Sequence, residues 1–122
     1  EGAGAPALGK LRSTAPESRD AVYAGDWGAL GAAMSRNTEY QRELHPELVS
    51  SEAERIWRIA ESHGALGWKV NGAGGDGGSV TLLCGPDAAE KRTLIREIEA
   101  ENPRWRSIRI GLSRTGLRVW EV

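Results

Sequence analysis

A lysine, an asparagine and a run of glycines stand together at Lys69-Val70-Asn71-Gly72-Ala73-Gly74-Gly75-Asp76-Gly77-Gly78. Five of the seven residues from Gly72 to Gly78 are glycine. Each costs roughly 0.5–1 kcal/mol to order relative to alanine in regular structure, and a hairpin turn needs only one or two. The surplus suits a backbone that approaches something closely, takes positive φ repeatedly, or moves. The plain alternative is a long hairpin loop without a ligand. Lys69 falls in an apolar run beside this loop. It is placed either to serve an anionic ligand or to extend its ammonium from a strand end into water.

Other chemistry-bearing residues are less concentrated. His45 and His63 are the only histidines, and both fall at expected helix ends, where imidazoles commonly bond to backbone or solvent. Glu39, Glu43, Glu47, Glu52, Glu54 and Glu61 read as solvated helix faces. No serine, cysteine and acid form a recognisable nucleophile arrangement, and the single Cys84 supports neither a disulfide nor a cysteine zinc site. Near the C-terminus Arg104, Arg106, Arg109, Arg114 and Arg118 accompany Trp105 and Trp120. On an open sheet face such residues stack single-stranded bases, which gives a second reading as a non-catalytic nucleic-acid-binding module. The net charge of −1 argues against it, because nucleic-acid binders normally carry a basic excess.

The elements that must position these residues can be read from periodicity. Residues 1–13 are rich in glycine, alanine and proline and read as a disordered lead-in or linker, leaving 14–122 as one domain. Thr14-Ala15-Pro16-Glu17 has the form of a capping box with an early proline, opening a short helix to about Ala24. Leu30, Ala33, Met34, Asn37, Gln41 and Leu44 predict a helix from about Asp26 to Leu44, ended by His45-Pro46. Within it Gly28 and Gly31 allow a neighbour to approach closely. Ser51-x-x-Glu54 predicts a third helix with the stripe Ala53, Ile56, Trp57 and Ala60. Apolar runs at 65–70 and 79–84 predict strands flanking the Gly-rich loop, and Asp87 to Asn102 predicts the last helix. Residues 105–112 and 117–122 read as two further strands joined by a turn near Arg114-Thr115-Gly116. This order predicts an α+β, ferredoxin-like sandwich with an antiparallel four-stranded sheet and helices on one face. A right-handed crossover would put strand 65–70 between 79–84 and 105–112. No apolar run approaches the ~18–20 residues of a membrane span, and a cytoplasmic location is expected. The first residue is Glu1, so the chain is expected to be part of something longer.

The loop is not a P-loop, since no Gly-Lys-Ser/Thr follows it, nor a dinucleotide fingerprint, since a strand rather than a helix follows. Gly67-Trp68-Lys69-Val70-Asn71-Gly72-Ala73-Gly74-Gly75-Asp76-Gly77-Gly78 resembles the third motif of the GHMP kinases (galactokinase, homoserine, mevalonate and phosphomevalonate kinases). That motif usually reads Gly-Ala-Lys-x-Ser/Thr-Gly-Ala-Gly-Gly-Gly-Gly, between two strands of the C-terminal domain. Residues 24–31 and 37–51 are similar to the helices preceding it, most like the heptose-phosphate and fucose kinase branch. The chain departs from the motif at Trp68, Asn71 and Asp76. The resemblance implies the C-terminal domain of an ATP-dependent kinase, acting on a sugar or sugar phosphate. ATP and Mg²⁺ would serve the intact enzyme, with neither expected on this chain alone. It implies an N-terminal kinase domain in the same polypeptide, which would carry the main phosphate loop and any catalytic acid. No catalytic residue is assigned here. Lys69, Asn71, Gly72, Ala73, Gly74, Gly75, Asp76, Gly77 and Gly78 are the expected site lining.

Overall fold

The computed structural model of the chain describes residues 5–75, 77–116 and 118–120, and three of its helices begin where a short polar side chain caps them. Asp26 Oδ1 accepts from the Ala29 amide and starts α2 (Trp27–Leu44). Ser50 Oγ accepts from the Ala53 amide and starts α3 (Ser51–Ser62). The cap therefore lies one residue before the Ser51 expected from the sequence. Asp87 Oδ1 accepts from the Ala89 and Glu90 amides and starts α4 (Ala88–Glu101). Each such cap satisfies donors that the first helical turn leaves free, worth typically about 1 kcal/mol. A 3-10 turn at Pro46–Leu48 links α2 to α3.

The first helix departs from the sequence reading. α1 runs over Ala5–Ala24 with Pro16 inside it, so residues 5–13 are helix rather than lead-in. Thr14 is buried and caps nothing. Its hydroxyl donates to the Leu11 carbonyl and accepts from the Asn37 amide on α2. Tertiary packing against α2 therefore carries the helix through Pro16, which would otherwise end or kink it. Lys10–Glu43 and Arg36–Glu17 ion pairs span the same seam; being exposed, each adds little. No described helix is long and apolar enough to cross a membrane.

β1 (Gly67–Asn71) and β2 (Ser79–Leu83) form an antiparallel pair, with Trp68 opposite Leu82 and Val70 opposite Val80. This face packs under α3, where Val49, Ala53, Trp68 and Val70 form a buried cluster. Trp57 stacks on Trp68 with ring centroids 5.7 Å apart. Gly31 of α2 meets Gly67 backbone to backbone, with no room for a Cβ on either. This is the close approach that Gly31 allows. The expected four-stranded sheet is not observed. Among the described residues two strands pair, and 105–116 and 118–120 lie in neither helix nor strand, while Leu117, Glu121 and Val122 lie outside the described residues. Alternating apolar residues specify which side of a strand is buried but not which edge it joins. The expected strand order also fails. The second edge of β1 is covered by α2: Thr38 Oγ1 accepts from the Val70 amide at 3.2 Å and lies 3.4 Å from the Trp68 carbonyl, and Ser35 Oγ lies 3.4 Å from the Trp68 amide. With a helix covering that edge, β1 cannot sit between two strands.

Candidate functional site

The Gly-rich loop is held at two points. Gln41 of α2 donates its side-chain amide to the Gly72 carbonyl at 3.2 Å, and the Gly74 amide donates to the Leu48 carbonyl at 3.2 Å. Gly74 is buried. A Cβ there would lie 2.6 Å from Leu48 O and 2.8 Å from Val70 Cγ1. Beyond this anchor the chain rises into solvent, with Ala73, Gly75, Gly77 and Gly78 exposed. Gly77, at φ 146°, adopts a backbone conformation that residues with side chains rarely take. Asp76 lies outside the described residues. The surplus of glycine thus serves a close contact at Gly74 and an open, positive-φ arch after it.

The face of the hairpin opposite α3 is polar. Lys69 pairs with Thr81 and Asn71 with Ser79 across the strands. Asn71 Nδ2 donates to Ser79 Oγ at 3.1 Å and Thr81 Oγ1 at 2.9 Å. Lys69 Nζ donates to the Val70 carbonyl and forms no ion pair among the described residues; partial burial pushes its pKa below the ordinary lysine value. The structure therefore brings Lys69, Asn71 and the loop to one end of the sheet, with Ser79, Thr81 and Gln41 as further site residues. Sequence carried a weak signal for Ser79 and Thr81, which share the parity of Lys69 and Asn71 on a hairpin. It carried none for Gln41, which comes from a distant helix.

Beside the loop lies a groove of about 1030 Å³. Its apolar wall comes from Ile56, Val80, Leu82, Leu94 and Ile98, and residues 104–110 form its rim. Gly74, Gly77, Gly78, Asn71, Ser79 and Thr81 line it as well. The histidines stand elsewhere. His45 Nδ1 lies 3.3 Å from the Glu47 amide and caps the 3-10 turn. His63 ends α3, with Nδ1 2.5 Å from Glu90 and Nε2 2.7 Å from Glu97. Hydrogen bonds donated to Glu90, then to Glu97, raise its pKa above the ordinary value. Burial raises that of the Cys84 thiol. No three His, Cys, Asp or Glu side chains gather to hold a metal ion among the described residues.

The chain is similar to two kinases and to one solved structure. The chain is 22% identical over 116 residues to a D-glycero-alpha-D-manno-heptose 7-phosphate kinase of Campylobacter jejuni, matching 95% of this chain and 33% of that protein. It is 27% identical over 112 residues to an L-fucokinase/L-fucose-1-P guanylyltransferase of Bacteroides fragilis, matching 92% of this chain and 12% of that protein. The chain thus spans about a third and about an eighth of these relatives. Its fold is like that of L. major mevalonate kinase, solved in complex with R-mevalonate. The TM-score is 0.61 at 20% identity, over 84% of this chain and 36% of that one. The family described as GHMP kinases C terminal matches residues 18–116, most of the chain, and the chain belongs to that family.

Proposed function

We propose that this chain supplies the C-terminal half of the active site of an ATP-dependent small-molecule kinase whose acceptor is a sugar or a sugar phosphate. The observation that carries the reading is the Gly-rich loop. It is anchored at Gly72 and Gly74, and Gly74, Gly77 and Gly78 line a groove large enough for a metabolite. The sugar-kinase names of the two relatives support the acceptor class. In such a reaction the γ-phosphoryl group of ATP passes to a hydroxyl of the acceptor, and Mg²⁺ neutralises the phosphates when bound. This chain's part is positioning: backbone amides and small residues at 72–78 let the reacting groups approach, while Asn71, Ser79 and Thr81 offer an amide and hydroxyls to a polyol. With no ion-holding cluster among the described residues, the Mg²⁺ ligands would come from elsewhere, as would the principal phosphate loop and any catalytic acid. Their source in this reading is an N-terminal domain of the same polypeptide, in the cytoplasm.

The finer architecture belongs to the same proposal. The domain takes in α1 from Ala5 and continues through the groove-lining residues 104–110. The activity is tested by coupling ADP release to a panel of sugars and sugar phosphates in the protein that contains this chain and the preceding domain. Transfer to at least one is expected. Gly75→Val should lower turnover by about a hundredfold, because small misplacements beside transferring groups cost that much. Near-normal turnover of a folded Gly75→Val enzyme would make the loop a mere connector.

A further inference from the structure

Pro103 to Trp120 carries five arginines and no carboxylate, whereas the remainder of the chain holds an excess of acids. The arginines are not equivalent. Arg104 pairs with Glu52 at 2.8 Å. Arg106 donates only to the Trp105 carbonyl, and neither it nor Arg109 has a carboxylate partner among the described residues. Both line the groove that the Gly-rich loop also lines, while Arg114 and Arg118 do not. Of the acids lining the groove, Glu52 is taken by Arg104, and Glu99 accepts from the Ser107 amide. The groove thus has a cationic rim, an apolar wall, and a polar lining of amide, hydroxyls and open backbone.

We propose that Arg106 and Arg109 bind a phosphomonoester dianion carried by the acceptor, whose hydroxyls meet Asn71, Ser79 and Thr81 in the same groove. Guanidinium groups match phosphate oxygens in a bidentate fork and are favoured wherever that geometry matters. A volume of about 1030 Å³ suits a small phosphorylated molecule. The choice of an acceptor over other phosphates rests on the kinase reading; the preference for a phosphomonoester does not.

The test titrates ¹⁵N-labelled chain with mannose 6-phosphate, inorganic phosphate, mannose, ATP and a dT octamer. The readout is the Arg Nε and Asn71 side-chain resonances. Saturable shifts are expected with mannose 6-phosphate, weaker ones with phosphate, and none with mannose. Arg106→Gln with Arg109→Gln should weaken mannose 6-phosphate binding by about tenfold or more, the loss expected for charged hydrogen bonds. Arg114→Gln with Arg118→Gln, the same charge change off the groove, should leave it unaltered. All four positions that change are exposed, and retention of the Trp57–Trp68 near-ultraviolet signal confirms the fold. No saturable shift with mannose 6-phosphate overturns the proposal, as does equal binding of mannose. Equal weakening by the Arg114 and Arg118 pair reduces the effect to diffuse charge and also overturns it. Tighter binding of ATP would give the site to the nucleotide, and tighter binding of the octamer to nucleic acid; either refutes the assignment. Phosphoryl transfer plays no part in this titration, so the kinase reading and this site fail separately.

Discussion

Replacing Thr38 by valine removes one hydroxyl and almost no volume, at a residue with 0% exposure. In the native fold that hydroxyl accepts from the Val70 amide at 3.2 Å, and its single proton goes to either Trp68 O at 3.4 Å or Met34 O at 3.5 Å. Met34 is inside α2 and its carbonyl keeps a helical partner, so the loss falls on the edge of β1. A buried amide left without an acceptor costs about 1–3 kcal/mol, and the weaker contact to Trp68 adds up to about 1 more. Thr38→Val should therefore destabilise by about 1–4 kcal/mol. For a domain of this size each kcal/mol lowers Tm by roughly 4 °C, so the melt should fall by about 4–16 °C. Thr38→Ser keeps the hydroxyl and loses a methyl, worth about 1 kcal/mol, so it should melt between the two. Calorimetry reads the stability, and amide exchange reads the site, since the Val70 amide should exchange faster in the valine variant alone. A Thr38→Val protein melting within about 2 °C of the parent, with Val70 exchange unchanged, would refute the reasoning. The edge of β1 would then be satisfied by something else, most directly by residues 105–112 pairing there in the order the sequence suggests.

Two further outcomes follow from the same structure. Gly74→Ala places a methyl against the Leu48 carbonyl. It should lift the loop and cost about 1–3 kcal/mol; Gly75→Ala, with φ 35° but open space, should cost only about 1. Thermal melts in the reverse order would mean that the Leu48 anchor contributes nothing. His63 bonds carboxylates through both nitrogens, which only the doubly protonated ring can do as donor. Its folded pKa is raised, so the stability it adds is complete below the unfolded value of about 6.5 and is lost as pH rises through the folded value. The Tm difference between the parent and His63→Gln should thus shrink as pH rises from about 6; a difference that is flat or grows with pH contradicts the clasp.

Local chemistry was enough to read much of this chain. The helices expected to open at about Asp26 and Asp87 do open there, because the cap that starts each one depends on residues only three positions away. The hairpin and its Gly-rich loop follow from apolar runs broken by residues that cannot continue a strand, and the family resemblance rested on that same stretch. What tertiary structure alone decided is non-local. Pro16 looked like a helix start, but Thr14 is buried against Asn37, 23 positions away, and that packing carries α1 back to Ala5. The outer edge of β1 looked available to another strand, yet Thr38 and Ser35 occupy it from α2. The glycines promised freedom, and only the fold shows that Gly74 is instead fixed on Leu48. Residues 105–112 alternate as a strand should, but alternation records only which side is to be buried. An edge must be free to receive the segment, and which edge is free depends on how α2 packs.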